Sequence, residues 1–126
     1  MQNLTISATK YTPEISLDAE NGVISMSGKS YPENTFDFYK PVMEWVEKYF
    51  EANAKEKTII NMEIIYFNSS SSKLFFDFFD LIEEGSEKHG VEINWIYDEE
   101  NESALEAGED FKEDFEGLTF NLVAKT

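Results

Sequence analysis

The stretch Thr58-Ile59-Ile60-Asn61-Met62-Glu63-Ile64-Ile65-Tyr66-Phe67, which runs straight into Asn68-Ser69-Ser70-Ser71-Ser72, decides the fold. Its first part is dense in β-branched and aromatic side chains, the composition of a central strand. After the polar block, Leu74, Phe75, Phe78, Phe79, Leu81 and Ile82 gather on one broad face at about 100° per residue, with Lys73, Asp77, Asp80 and Glu84 opposite. This predicts a helix roughly over 71–88, ending at Gly90, where glycine accepts a left-handed cap easily.

Working outward from that strand–helix pair, the N-terminal side reads as a hairpin. Glu14-Ile15-Ser16-Leu17-Asp18 and Val23-Ile24-Ser25-Met26-Ser27 both alternate, and Asn21-Gly22 lies between them as a turn in which both residues tolerate positive φ. From Phe36 to Ala52, Asp37, Lys40, Glu44, Glu47, Lys48 and Glu51 share a narrow polar side. Phe36, Phe38, Tyr39, Val42, Met43, Trp45, Val46, Tyr49 and Phe50 fill a wide apolar arc suited to packing on a sheet. Pro41 leaves two readings: a regular helix starting near residues 38–40, with Pro41 in its first turn, or a longer helix kinked there. On the C-terminal side come a strand over 91–97, a helix from Asn101 to about Glu113 and a strand over 118–124. The order ββ-α-β-α-β-α-β predicts an α/β fold, a mixed sheet with parallel crossovers and helices packed against it. A chain of 126 residues has room for one such domain, 1–126.

Lys plus Arg number 10 and Asp plus Glu 26, a formal net charge of −16. Phosphate backbones and anionic leaflets both recruit clustered Lys and Arg, so neither nucleic acid nor a membrane is an expected partner. The absence of cysteine excludes disulfides, thiolate metal sites and a Cys nucleophile. No apolar run approaches the roughly 20 residues of a membrane span and no signal peptide opens the chain, so a cytoplasmic location is expected.

Catalytic signatures are sparse. His89 is the sole histidine and sits beside Lys88 near an expected helix C-terminus, where a cation suits the helix dipole. No phosphate-cradling glycine loop, His-Glu-x-x-His or Gly-x-Ser-x-Gly motif occurs, and neither metal nor cofactor is implied. The acidic run Asp98-Glu99-Glu100-Asn101-Glu102 reads as a helix N-terminus complementing the dipole; the spaced ligands and glycine of a calcium loop are missing. The serine block has two readings. One or two of Asn68 and Ser69–Ser72 suffice as an N-cap. Four hydroxyls at a helix start also suit a phosphorylation switch, because free amides and the dipole receive a phosphate there. Phe76, on the polar side of its helix, is either an exposed interface anchor or a side chain covered by a neighbouring loop or strand.

Taken together, Ser30-Tyr31-Pro32-Glu33-Asn34-Thr35, the helix carrying Trp45-Val46-Glu47, and Tyr66-Phe67-Asn68-Ser69-Ser70-Ser71 resemble the SiaC family of bacterial regulatory phosphoproteins. Asp80-Leu81-Ile82-Glu83-Glu84 and Trp95-Ile96-Tyr97-Asp98 with Asn101-Glu102 extend the resemblance, which runs from about Thr12 to Leu122. It implies a STAS-like domain similar to the anti-sigma-factor antagonists, acting by partner switching and not as an enzyme. It further implies that a cognate Ser/Thr kinase phosphorylates the domain and a PP2C-like phosphatase reverses this. The unphosphorylated form would bind and activate a diguanylate cyclase, raising cyclic di-GMP and favouring biofilm. By motif alignment the acceptor falls on Ser69, where the family pattern has Thr, with Ser70 and Ser71 as alternatives in register. Asn68, Ser70, Ser71 and Phe76 are the expected partner-interface residues. Two other readings stay open: an anti-sigma-factor-antagonist-like domain with another target, and a small hydrolase or ligand-binding domain using the serines and His89.

Overall fold

In the computed structural model, which describes residues 1–125, six strands form one sheet in the order β1-β2-β3-β4-β5-β6. The elements are β1 (Leu4–Ile6), β2 (Glu14–Asp18), β3 (Val23–Ser30), α1 (Thr35–Lys48), β4 (Lys57–Phe67), α2 (Ser69–Gly85), β5 (Gly90–Asp98), α3 (Glu102–Asp114) and β6 (Thr119–Lys125), with a π-helical turn, Tyr49–Asn53, closing α1. The strands β1, β2 and β3 pair antiparallel, whereas β3 through β6 are parallel. This is the expected mixed α/β sheet, with the short edge strand β1 added.

The parallel strands run in sequence order, so right-handed crossovers place all three helices on one face. Ile24, Met26, Ile60, Met62, Ile93, Trp95 and Phe120 point toward the helices and are buried. From the helix side, Tyr39, Val42, Val46, Phe75, Phe78, Phe79, Ile82 and Phe111 meet them in one core. Trp95 lies at the centre of the aromatic packing, and its Nε1 donates to the Ala104 carbonyl of α3 at 2.9 Å. The opposite face carries partly exposed Ser25, Asn61, Asn94 and Asn121.

Several local expectations are corrected. Of the two readings of Pro41, the start near residues 38–40 is overturned and the longer helix holds: α1 starts at Thr35, so Pro41 lies inside it, where its ring supplies no N–H for the Asp37 carbonyl. Pro41 is on the exposed side. α2 begins at Ser69 and ends at Gly85, with Ser86 as C-cap, so Gly90 caps nothing: it opens β5, its N–H donating to Glu56 O at 2.7 Å. In the hairpin the turn takes four residues, 19–22, and Gly22 alone has positive φ (68°). Asn21 instead donates its N–H and its side-chain amide to the Asp18 carboxylate, which these bonds hold below its ordinary pKa.

Candidate functional site

The serine block sits at the C-terminal end of β4, and a backbone irregularity sets how it is presented. Pairing between β3 and β4 jumps from Gly28↔Ile64 to Lys29↔Tyr66, leaving Ile65 as the extra residue of a bulge. Gly28 adopts φ 132°, a conformation open to glycine and strained for other residues. Past the jump, Ser30 is turned inward and fully buried, beside its partner Phe67.

Each helix starts on an asparagine: Asn34, Asn68 and Asn101 accept from the backbone N–H of Asp37, Ser71 and Ala104 respectively. For α2 the cap bond is Ser71 N–H to Asn68 Oδ1 at 2.9 Å. The N–H groups of Ser69 and Ser70, in the first turn, have no intrahelical acceptor, as at any helix start.

The four serines have different surroundings. Ser69 and Ser70 are exposed, Ser72 is half-buried and Ser71 is fully buried. The Ser71 hydroxyl lies 2.8 Å from Ser30 Oγ, which lies 2.6 Å from the Tyr39 hydroxyl. This buried row of three hydroxyls ties α2 to β3 and α1. Burial pushes the Tyr39 phenol up to about 12, its bond with Ser30 pulling weakly the other way. Ser71, expected as an alternative acceptor and as an interface residue, is therefore closed to a kinase or partner while the fold is intact. Its hydroxyl serves packing.

The first two turns of α2 form a ridge between two open grooves. On one side Phe67, Ser69, Ser72, Phe76, Asp110 and Phe111 line a cleft of about 590 Å³ against α3. On the other, Asn34, Phe36, Ser70 and Leu74 line a cleft of about 560 Å³ against α1. Lys73 borders both clefts and, among the described residues, is the sole cation lining either, alongside the carboxylates Glu33, Asp77, Asp110 and Asp114. Phe76 is 44% exposed and rests against Phe115 at the end of α3, ring centroids 4.9 Å apart, so it is partly covered by that helix. Phe36, expected on the packing face of α1, is instead 71% exposed at the rim of the second groove. Thr35, one position earlier, takes the buried place.

Sequence reasoning missed an aromatic run beside the ridge. Tyr11, Tyr31 and Tyr66 contact edge to face, centroids 5.3 and 5.5 Å apart, with Tyr11 and Tyr66 about half exposed. Its signal was the exposed end of β4, where Ile65 and Tyr66 break the alternation after Ile64.

His89 is remote from the serines. It follows the far end of α2, and a 17-residue helix spans roughly 25 Å at about 1.5 Å per residue. It packs beside Phe50, so no serine of the block has an imidazole base. The hydrolase built on these serines and His89 is thus contradicted.

A one-sided α/β sheet whose exposed serines crown a grooved ridge lined by carboxylates defines a small α/β domain with an open acidic surface at the start of α2. Among known proteins the same architecture recurs. The model of the SiaC family regulatory phosphoprotein matches residues 6–125. An uncharacterised protein of Pseudomonas aeruginosa strain UCBPP-PA14 is 38% identical over 115 residues, 90% of each chain. The crystal structure of apo-SiaC from Pseudomonas aeruginosa superposes with a TM-score of 0.87 at 33% identity, covering 100% of both chains. Also similar, at TM-score 0.84 and 35% identity over 96% of this chain and 97% of that one, is SiaC in the crystal structure of the Pseudomonas aeruginosa diguanylate cyclase SiaD in complex with its activator SiaC. The chain belongs to the SiaC family of regulatory phosphoproteins.

Proposed function

We propose that this protein is a non-enzymatic, cytoplasmic partner-switching regulator: unphosphorylated, it binds and activates a diguanylate cyclase, and phosphorylation of Ser69 by a cognate Ser/Thr kinase releases the cyclase until a PP2C-like phosphatase restores the hydroxyl. The observation that carries this reading is the position of Ser69, exposed at the first residue of α2 on the ridge between two grooves. Family membership supports a regulatory role, and the relative solved with a diguanylate cyclase is described as its activator.

The physical chemistry fits. A phosphoserine at Ser69 carries about −1.5 to −2 charges, and the unpaired amides and positive end of α2 receive it without unfolding the helix. Docking would bring Asn68, Ser70 and Phe76 against the partner, with Phe36 from α1. The acidic lining asks for a basic partner surface, and phosphate at its centre changes both shape and hydration there. Ser70 is the acceptor alternative that remains exposed.

The test is cyclic di-GMP synthesis by the cognate cyclase with wild-type protein, Ser69→Ala, Ser69→Asp and kinase-treated wild type. Stimulation by wild type and Ser69→Ala, lost after kinase treatment of wild type and retained after kinase treatment of Ser69→Ala, supports the switch. Kinase-treated Ser69→Ala that also loses stimulation moves the acceptor elsewhere.

A further inference from the structure

The two edges of the sheet are finished differently. β1 is three residues long, a length that offers little for another strand to pair with. β6 is seven residues long, and Thr119-Phe120-Asn121-Leu122-Val123-Ala124 carries no ionisable side chain in a chain of net charge −16. Edge strands are ordinarily guarded by charge, proline or brevity, and residues 119–124 have none of these. The open face adds a second observation. Asn61, Asn94 and Asn121 are in register across β4, β5 and β6. Asn94 Nδ2 donates to Asn61 Oδ1 at 3.0 Å and Asn121 Nδ2 to Asn94 Oδ1 at 3.1 Å. The ladder therefore runs one way and stops at the edge: no side-chain donor among the described residues reaches Asn121 Oδ1. That oxygen and the second Nδ2 hydrogen form the donor–acceptor pair of a free primary amide.

We propose that β6 is a self-pairing edge at which two copies of this chain join about a two-fold axis through Asn121, making one continuous sheet. The occupant is a second copy because the unfinished group is self-complementary. Two Asn121 amides related by a two-fold axis satisfy each other reciprocally, as no charged partner would. Antiparallel pairing in this register sets Thr119 opposite Val123 and Phe120 opposite Leu122 of the other copy, and keeps both sets of helices on one side. Charge points the same way, since 119–124 is the stretch where two strongly acidic chains approach with least repulsion. An edge pairing of this length buries little area, so the dimer is weak and reversible. Repulsion between the remaining charges makes it stronger in salt, as the screening length drops from about 30 Å at 0.01 M to about 3 Å at 1 M.

Sedimentation velocity on the full chain, from ~1 µM to ~1 mM and at low and high salt, reads the association. The chain has no cysteine, so introduced thiols report only their own proximity. The expected results are a monomer–dimer equilibrium at least several-fold tighter at high salt, weakened at least tenfold in Asn121→Asp, and oxidative cross-linking by the Thr119→Cys, Val123→Cys double variant but by neither single variant. A chain that stays monomeric throughout overturns the proposal. So does a dimer that Asn121→Asp leaves intact, or one whose double variant cross-links no better than the single ones.

Discussion

Replacing Ser71 by alanine separates the structural serine from its exposed neighbours. The change removes a buried hydroxyl 2.8 Å from Ser30 Oγ and leaves Ser30 with Tyr39 as its remaining hydroxyl partner. Losing one intramolecular hydrogen bond costs about 1 kcal/mol, and a buried polar group left short of a partner adds about 1–2 kcal/mol. Alanine returns about 0.5 kcal/mol through better helix propensity. The net expectation is a loss of about 1.5–2.5 kcal/mol, a drop of roughly 5–10 °C in Tm for a chain of this size. Ser69→Ala and Ser70→Ala, at exposed positions, stay within about 0.5 kcal/mol of wild type. The assay is urea denaturation and calorimetry on the three variants, with Tyr39→Phe and the Tyr39→Phe, Ser71→Ala pair to close a double-mutant cycle. Coupling of about 0.5 kcal/mol or more is expected if the three hydroxyls act as one network. A Ser71→Ala protein as stable as Ser69→Ala, or strictly additive cycle energies, refutes the assignment of Ser71 to the fold.

Other expectations follow from single contacts. Gly108→Ala places a Cβ 2.5 Å from Trp95 Cδ1 and 2.8 Å from Leu122 Cδ2, so overpacking of about 1–3 kcal/mol outweighs a helix-propensity gain of about 1 kcal/mol; chemical denaturation and the near-ultraviolet signal of Trp95 report it. Gly28→Ala imposes a side chain at φ 132°, with its Cβ 3.2 Å from Pro13 Cα; a loss of about 1–3 kcal/mol is expected, with amide exchange quickened around Ser30 and Phe67. Tyr39 holds its proton more tightly when folded (about 12) than the ordinary value of 10.0, so its contribution is intact below pH 10 and declines as pH rises toward 12, by roughly 3 kcal/mol. Denaturation of wild type and Tyr39→Phe between pH 9 and 12 checks this, the phenylalanine variant lacking that component of the alkaline decline.

The parallel core was legible because its residues obey simple periods. β4 and β5 bury alternate residues, and the helices bury the stripes 39, 42, 46, 49 and 75, 78, 79, 82. Carrying each stripe back by one turn lands on Thr35 and Ser71, the two first-turn residues found buried. The rule that located the core thus also held the answer for Ser71, but four consecutive serines read as a cap or a phosphorylation switch because serine competes with helix hydrogen bonding in the interior and favours caps. Phe36 was misplaced for the complementary reason: it is as apolar as its neighbours yet about 100° off the stripe. Other features leave little trace. β1 is too short to show alternation, and the bulge at Gly28 depends on one backbone angle and the Ile65 opposite it. The grooves flanking Ser69 combine residues from α1, α2 and α3, so spacing along the chain carries no mark of them.

The most direct test of the central claim is the affinity of the cognate diguanylate cyclase for protein phosphorylated stoichiometrically by its kinase, with the phosphate located by peptide mass spectrometry. Phosphate on Ser69, a folded-state spectrum unchanged and cyclase affinity at least tenfold weaker is the predicted result. Phosphate on Ser69 with cyclase affinity unchanged would contradict it.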